Sequence, residues 1–563
     1  MRNFLGRCFD WISALPVWHQ FEIVPAEGLP SSSIFGFSEF LAALALLLVV
    51  LTASDFRYRY RLSLAVPDLR RLGFWLARLI GVVLLGTDVW FDNGLATVSL
   101  LSNPNNIKAA LALAFLLYVF RVIYVAVLQP PRFTARNAKR FFEANYWFIH
   151  EGNADRLQVV AQETGRSLHS IVASAARVMP RSARQQGQRP NMNDYAANFL
   201  LLIGDGRFCR IVVDKVPSFA LECFQNVQKV ATPQLQIFQF ARNIGQEFIR
   251  NTGSSFYQEE SGFQSGLMGY GKPTTKVIFG DFGFIERCAG EGASPLETEY
   301  AELKSFTGEQ LQGYVRAALV FFEAYLSETK GYAIPHSFAL ARLMGSLKNA
   351  VSGLRPIEGA TSSTFPQLSA VMDFVKDSLE LTTKLAARPE TLRISTGVPR
   401  DVYDHLAYLI YDVIFEATAV SSPTWLAWQV QYVSIWSMIF GFSSGEANRI
   451  VAFKVRRLMY NEIKKLDQFV NFKGARILGY ALYVFGLTPV QRHDNHGSWI
   501  YPLQNAVLRW TKRNYRRLLS DSPPVAKACL VGSLSYDDGH GRLVKTFDGD
   551  QRRPPVQEYL DLE

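Results

Sequence analysis

The stretch "LALAFLLYVFRVIYVAVLQPPR", residues 111–132, is apolar almost throughout, yet Arg121 stands well inside it. A helix rises about 1.5 Å per residue, so crossing a bilayer core about 30 Å thick needs roughly 20 apolar residues. The run 109–129 meets that length and is stopped by Pro130 and Pro131. It therefore predicts a membrane-spanning helix.

Two further apolar runs lie upstream of it. Residues 34–53 end in "LAALALLLVVLTA", with aromatic residues on both sides that suit the two membrane interfaces. Residues 72–91, "LGFWLARLIGVVLLGTDVWF", form the weakest of the three because they carry Arg78 and Asp88. Together the runs predict a three-helix transmembrane region over residues 34–130.

The composition agrees with a chain that lies partly in lipid. Of its 563 residues, 49% are hydrophobic and 19% are charged, below the quarter or so that is typical of soluble domains. The formal net charge of +10 favours anionic partners, such as phospholipid headgroups or nucleic acid. Its five cysteines are scattered and lack C-x-x-C spacing, so neither a disulfide framework nor a zinc site is indicated.

Lysine and arginine counts predict the orientation, because positive flanks stay in the cytoplasm. Nine such residues lie in the loop after the first run and the segment after the third, against three on the opposite side. The N-terminus is thus expected outside, with residues 1–33 as an amphipathic extracytoplasmic segment. Everything after Pro130 is expected in the cytoplasm, beneath a plasma (inner) membrane.

The intramembrane charges Arg78, Asp88 and Arg121 need an explanation, since a charge at the bilayer centre is costly. Both arginines fall in the inner leaflet, where a long side chain can reach the headgroups. Asp88 lies near the outer end and does not match Arg121 in depth. We favour snorkelling or helix packing, and an ion or lipid path is the alternative.

Beyond the apolar runs, helical periodicity dominates, so the chain is expected to be mostly α, with little β-structure. Residues 131–519 form the expected helical cytoplasmic domain, with a linker near 179–193, and residues 520–563 form a loosely ordered tail. The best strand signals are "CRIVV" at 209–213 and "KVIFG" at 276–280.

The uncharged run 424–445 could be a fourth span or a buried core helix. Crossing there would place the basic segment 449–465 outside, so the core helix is favoured.

One glycine-rich segment resembles a phosphate-binding loop in spacing alone. "GLMGYGKP" places Gly266, Gly269, Gly271 and Lys272 in a possible ligand loop. Proline replaces the hydroxyl residue that would hold magnesium, no strand precedes the loop, and the sequence after it looks extended, so nucleotide binding is not favoured. The motifs "GDFGF" and "RHDNH" also lack the groups that a kinase or metal site needs, so no catalytic residue, metal or cofactor is predicted.

Two charged helix faces are the remaining candidates. Asp404, Asp412 and Glu416 share one face at helical spacing and could bind a cation, although contact with the basic helix 449–465 is favoured. The second is a basic patch in "LRWTKRNYRR", formed by Arg509, Lys512, Arg513, Arg516 and Arg517. Anionic lipid is its favoured partner, at about 1 kcal/mol per basic residue near a membrane, and nucleic acid is not.

These patterns lead to one expectation and two rivals. The expected protein is a multi-pass, homo-oligomeric membrane protein with a helical cytoplasmic domain that acts as a sensor, scaffold or effector. The first rival is an oligomeric ion channel or transporter that uses Arg78 and Arg121. The second is a membrane-bound enzyme that uses the glycine loop or the acidic face.

Overall fold

The computed structural model describes most of the chain as two compact units, Met1–Leu202 and Ile203–Glu563. Nearly all of its regular structure is helical, which confirms the mostly α class with apolar helices near the N-terminus. The boundary after Leu202 lies within residues 131–519, the expected helical domain with a linker near 179–193. The described residues are 23–24, 35–53, 55–65, 67–93, 97–98, 104–178, 190–230, 235–261, 271–329, 337–354, 365–385, 389, 391–395, 397–441, 445–490, 500–547 and 556–563.

The first unit contains eight described helices and one pair of two-residue strands. A π turn at Tyr124–Leu128 continues α4. The strands β1 (Ile23–Val24) and β2 (Thr97–Val98) pair antiparallel, with Ile23 opposite Val98. The helices are α1 (Phe37–Ala53), α2 (Phe56–Leu64), α3 (Leu69–Asp92), α4 (Pro104–Ile123), α5 (Ala138–Glu151), α6 (Ala154–Gly165), α7 (Leu168–Ala175) and α8 (Met192–Leu202).

Two helices are long and apolar enough to cross a membrane, namely α3 and the combined segment Asn105–Leu128. Only 17% and 28% of their most apolar windows are buried within the protein, unlike the core helices of soluble domains. The segment expected as the first span, residues 34–53, forms the 17-residue helix α1, which begins at Phe37 and ends at Ala53 as expected. The second starts three residues before Leu72, where the Asp68 side chain accepts the Arg70 and Arg71 amides.

The three apolar helices pack against one another through aromatic contacts. Phe40 of α1 is buried with Ile80 and Leu84 of α3. At the first residue of α3, Tyr118 of α4 donates a hydrogen bond to the Leu69 carbonyl at 2.9 Å. Gly73 is required at this crossing, because a Cβ there would stand 2.0 Å from the Tyr118 hydroxyl.

The second unit is a larger helical array followed by a small sheet. Its two most buried helices, α19 and α22, form the centre of the array. Its helices are α9 (Gly206–Lys215), α10 (Pro217–Val230), α11 (Phe238–Arg250), α12 (Ser255–Ser261), α13 (Pro273–Phe279), α14 (Phe282–Gly290), α15 (Tyr300–Ser305), α16 (Gly308–Thr329), α17 (Phe338–Val351), α18 (Pro366–Lys384), α19 (Val402–Ala417), α20 (Thr424–Trp428), α21 (Glu446–Lys465), α22 (Phe472–Phe485), α23 (Tyr501–Asp521) and α24 (Pro523–Ala528).

Both predicted strand signals are wrong. The segment 209–213 lies in α9, and 276–280 falls on α13 and the glycine after it. In α9 the buried side chains are Phe208, Cys209, Val212 and Val213, which repeat with the helical period rather than alternating. The secondary structure of this segment therefore follows the pattern of its buried side chains and not its content of β-branched residues.

The prediction of a loose C-terminal tail is also wrong. After α24, the chain forms an antiparallel sheet in the order β3 (Leu534–Asp537), β4 (Arg542–Phe547), β5 (Val556–Asp561). Its glycines and aspartates make the β3–β4 turn, and Leu543 is fully buried. The glycines and aspartates that suggested a loosely ordered tail are instead the turn residues of a β-hairpin.

The uncharged run 424–445 forms α20 and then a π helix over Gln429–Gly441. Trp436 and Ile439 are among its buried side chains, and the π helix packs against α18, α19, α21 and α22. This is the arrangement expected of a core helix. For the predicted linker at 179–193, the described part shows that α8 already begins at Met192, and residues 179–189 lie outside the described residues.

Candidate functional site

The two prolines that end α4 create an unusual demand for a hydrogen-bond donor. The carbonyl of Ala126 would accept from residue 130 in an α-helix or from residue 131 in a π helix. Both are prolines and carry no N–H. Because Ala126 is buried, this carbonyl needs a donor from elsewhere in the protein.

Arg61 of α2 supplies that donor. Its Nη1 lies 2.6 Å from the Ala126 oxygen, while Nε and Nη2 bind the Glu163 carboxylate at 2.9 and 2.7 Å. Arg61 and Glu163 are 6% and 7% exposed, so this two-pronged ion pair is shielded from water. We call Arg61, Ala126 and Glu163 the joint, since they connect α2, the π turn of α4, and α6.

More positive charge surrounds the joint than one carboxylate neutralises. Arg57 Nε and Arg166 Nη1 lie 3.7 and 3.8 Å from the Glu163 carboxylate, and Arg57 also binds Gln162 at 2.5 Å. Three guanidiniums therefore face one buried acid. Loss of Glu163 would leave the buried Arg61 guanidinium without its carboxylate partner.

A second buried contact fixes α2 against α5. The Tyr60 hydroxyl donates to Asn145 Oδ1 at 2.8 Å, and Asn145 in turn donates to the Phe141 carbonyl at 2.7 Å. Burial raises the pKa of Tyr60 well above its usual range, so the phenol stays a donor at physiological pH. These contacts hold helices and present no reactive group to solvent.

The structure places the predicted intramembrane charges apart from one another. Arg78 and Arg121 are exposed on α3 and α4, with their guanidiniums 5.6 and 5.8 Å from the rings of Trp75 and Tyr124. Within the described part of the chain, neither arginine has a carboxylate at ion-pair distance.

Asp88 is paired after all, with Lys108 at 2.7 Å. Lys108, one of the few basic residues on the expected outer side, is buried, with only 3% exposed.

The possible ligand loop is partly occupied by the protein itself. Gly266 and Gly269 lie outside the described residues, whereas Gly271 and Lys272 precede α13. The segment after the loop is helical, not extended as expected. The buried Glu259 carboxylate accepts the Thr274 and Thr275 amides at 2.6 and 3.1 Å, which are the donors that a phosphate would use.

The three acidic residues on one face of α19 each contact a different part of the protein. Asp404 does meet the basic helix, because Lys454 Nζ lies 2.6 Å from its carboxylate and 3.6 Å from Asp401. Asp412 instead pairs with Lys348 of α17 at 2.8 Å, and Glu416 accepts the Gly353 amide. The three carboxylates do not converge on one cation.

The basic patch on α23 is also divided. Arg517 approaches Asp467 at 3.7 Å, and Arg516 donates to the Gly541 carbonyl. The backbone carbonyl of Lys512 accepts the amide of the last residue, Glu563, while the remaining two, Arg509 and Arg513, are exposed.

Sequence reasoning missed a buried lysine in the C-terminal sheet. Lys545 is 2% exposed, and its Nζ lies 4.2 to 5.5 Å from the ring centres of Phe547, Trp428 and Tyr483. Burial lowers the pKa of this amine to about 8, against the opposing charge of Glu558. No motif marks this residue, since its partners are scattered along the chain.

The joint was missed for a different reason. Arg61 was counted only as a flanking charge, although the Pro130–Pro131 pair signals that a donor is needed. Among the described residues, no group of three or more His, Cys, Asp or Glu could hold a metal ion. The chain matches no protein-family model, no curated protein sequence and no solved structure.

Proposed function

We propose that this protein is a multi-pass membrane protein whose helical region acts beneath the plasma membrane as a sensor, scaffold or effector. The observation that carries the proposal is the apolar surface of α3 and α4. Phe74, Val82, Leu117 and Leu128 are each more than 60% exposed along these helices. Soluble monomers rarely leave a continuous apolar surface of this kind in water, whereas hydrocarbon accepts it.

The short strand pair supports three crossings with the N-terminus outside. β2 follows α3, at the end of the helix opposite the arginine-rich α2–α3 connection, and it pairs with β1. The segment before α1 thus meets the α3–α4 loop. Since α1 leads from that segment to α2, in this proposal it crosses the same depth as α3, although it has 17 residues against the 24 of α3.

The joint supports a role in coupling over a passive anchor. A tether needs no buried ion pair, yet Arg61 and Glu163 bind the end of a membrane helix to α6 through charge-assisted hydrogen bonds. A shift of α4 would therefore act directly on the helices that follow it. Homo-oligomers and contact with anionic headgroups belong to the same proposal.

Membrane integration and transport can be tested on the full-length protein. Carbonate-washed membranes should retain the chain, since its apolar surface holds it without peripheral contacts. Release into the supernatant would refute the proposal. Purified protein in liposomes should conduct no more chloride or potassium than empty liposomes, whereas robust flux would favour the channel that uses Arg78 and Arg121.

A further inference from the structure

Two phenylalanines are exposed where α21 ends and α22 begins. Among the described residues, no large hydrophobic side chain is more exposed than Phe469, at 74%, and Phe472 is 54% exposed. Phe469 exceeds even Leu128 in the π turn of α4, at 71%. We call residues 466–472 the tip, since they form the turn between the two helices. Exposed apolar side chains that occur singly need no explanation, whereas two large ones in one turn indicate a surface that meets something apolar.

The tip is a hydrogen-bonded turn. The Phe469 amide donates to the Lys465 carbonyl at 2.8 Å, and Asn471 Nδ2 donates to the Phe469 carbonyl at 3.0 Å. Asn471 Oδ1 also accepts the Gly474 amide at 2.7 Å and so caps α22. Gly474 is required here, because a Cβ would stand 2.8 Å from Leu466 Cγ. The exposure of Phe469 is therefore a property of a structured turn.

Helix α23 contacts the tip through Asp467. Asp467 Oδ1 accepts a hydrogen bond from Trp510 Nε1 at 2.8 Å, and the Arg517 guanidinium lies 3.7 Å from the same oxygen. The one carboxylate of the tip is thus already bound by two groups of α23. The contact also brings Arg513 close to the tip, because it lies one helical turn before Arg517 and is exposed.

Cations outnumber acids around the tip. Residues 461–476 contain four cations and two acids, and residues 513–521, the end of α23, contain three cations and one acid. Two of the three acids have cationic neighbours, since Glu462 pairs with Lys465 at 2.9 Å and Asp467 is bound as described. The two exposed rings are therefore surrounded by net positive charge.

This combination fits one kind of partner best. Aromatic rings are stable at the boundary between headgroups and hydrocarbon, and basic side chains beside them attract anionic headgroups. A stable protein interface buries about 800 Å² on each partner, far more than two rings supply. A chain that is already tethered to a membrane needs only a weak contact, because the tether keeps the surface at high local concentration.

We infer that the tip is a second membrane contact, in which Phe469 and Phe472 insert among the headgroups of an anionic bilayer. The basic side chains of α21, α22 and α23 bind the headgroups around the two rings. This inference rests on the proposed membrane location, and it assigns a specific surface of the second unit to the lipid.

The test uses the full-length protein in nanodiscs, on a Cys8→Ser background. Nitrobenzoxadiazole is attached at Gln468→Cys, an exposed position of the tip that leaves both phenylalanines in place. Phosphatidylcholine with a doxyl group high on its acyl chain is the quencher. The label should be quenched in discs rich in phosphatidylserine and much less in discs of phosphatidylcholine alone. Lys464→Gln should lower the ratio of docked to undocked tip about fivefold, the contribution of one basic residue near an anionic surface.

The two rings are tested by the double variant Phe469→Ser/Phe472→Ser, which should abolish quenching because no apolar group remains to insert. Phe338→Ser is the matched control and should leave quenching unchanged. Phe338 is 58% exposed and, like Phe472, is the first residue of its helix, α17. All of these side chains are exposed, so the variants should keep the unfolding midpoint of the parent.

A label at Leu117→Cys, on the exposed apolar surface of α4, separates this inference from the proposed function. Quenching at Leu117 in both kinds of disc, with none at Gln468, would overturn the inference, leave membrane integration intact and point to a protein partner for the tip. Absence of quenching at Leu117 would refute membrane integration and the inference with it. Equal quenching at Gln468 in both kinds of disc, or quenching that survives loss of both rings, would also overturn the inference.

Discussion

The joint shows how a single residue satisfies a demand that is created far away in the sequence. Pro130 and Pro131 deprive the Ala126 carbonyl of local donors, and Arg61, 65 residues earlier, fills the place. The need for a donor can be deduced from the two prolines alone. Its identity cannot, because several arginines lie in the α2–α3 segment and only the packing of α2 selects one of them.

Breaking the joint should be costly. Arg61→Met leaves the Glu163 carboxylate and the Ala126 carbonyl buried with fewer partners, for which about 3 kcal/mol of unfolding free energy is a fair expectation. Arg57 and Arg166 remain near Glu163 and limit the loss. Thermal unfolding in detergent would measure it.

The matched control is Arg71→Met, because Arg71 forms an exposed pair with Asp68 at 3.6 Å. Such pairs contribute about 0–1 kcal/mol. The double variant Arg61→Met/Glu163→Met should lose less than the sum of the two single variants. Equal losses in Arg61→Met and Arg71→Met would show that the joint adds no stability.

Arg121 should tolerate the loss of its charge. Its guanidinium lies over Tyr124 on the same helix, so Arg121→Leu removes an expensive charge from the apolar surface and should insert at least as well as the parent. Arg121→Lys should behave like the parent, since lysine also snorkels. Leu113→Arg, at another exposed position of α4, is the reference and should lower the membrane level. If both Arg121 variants reached normal membrane levels but lost a phenotype that the parent protein confers on cells, Arg121 would instead belong to a functional site.

Lys545 should make stability depend on pH. In the folded chain its pKa is about 8, below the ordinary value of 10.5, so between these pH values only the unfolded chain holds the proton. Stability from this group therefore increases as pH rises from 8 towards 10.5 and is lowest below pH 8. Lys545→Met should raise the free energy of unfolding at pH 7, measured by thermal unfolding, by about 1–2 kcal/mol after loss of the ring contacts, and the gain should shrink by pH 9.5.

Lys527→Met, on the exposed face of α24, is the control for this effect and should show no such trend. The buried tyrosines contribute equally to parent and variant, so they cancel in the comparison. A Lys545→Met protein that is less stable than the parent at every pH would show that the ring contacts outweigh the burial of the charge.

At the level of elements, apolar periodicity predicted helices well and composition predicted strands poorly. The two candidate membrane helices follow from long apolar runs that carry few charges, and the buried helical segment after Thr424 follows from an uncharged run. The segment 209–213 is rich in β-branched residues, yet it is helical because its buried face is contacted by other helices. The C-terminal hairpin could not be predicted in this way, because sequence periodicity does not show which strands pair with each other.

The same limit applies to the candidate sites. Charges that share a helix face were correctly grouped, but Asp404, Asp412 and Glu416 each face a different element. Only the tertiary arrangement decides which cation reaches which acid. The motif at the glycine loop also could not reveal that Glu259 binds the Thr274 and Thr275 amides at the start of α13.

The α3–α4 crossing should depend on one glycine. Gly73→Ala places a Cβ against the Tyr118 ring and forces the two helices apart, so it should lower the unfolding midpoint and weaken detergent resistance. Gly86→Ala is the matched control on the same helix, because nothing lies within 4 Å of the added carbon. Because alanine has a higher helix propensity than glycine, Gly86→Ala should leave the stability unchanged or raise it slightly. Comparable losses in both variants would contradict the close packing at Gly73.

For the whole molecule, orientation is the most informative measurement. Starting from a Cys8→Ser background, Asn93→Cys should be labelled from outside intact cells, and Gln188→Cys only after permeabilisation, because positive flanks fix the proposed orientation. The four remaining cysteines are buried, and burial raises the pKa of Cys288 to about 12, so their labelling should be slow. The reverse pattern would overturn the proposed topology.

The joint also has a consequence for how the chain is made. Arg61 and Glu163 are separated by 102 residues, and α3 and α4 lie between them. During synthesis the ribosome releases Arg61 long before its acidic partner, so the guanidinium must first rest among headgroups or water. In the proposed topology, the ion pair can close only after both intervening helices have entered the bilayer. If the proposed topology holds, an Arg61–Glu163 pair forms only in a chain whose two helices have inserted, and a chain that inserts wrongly keeps an unpaired Arg61 guanidinium that quality-control factors could recognise.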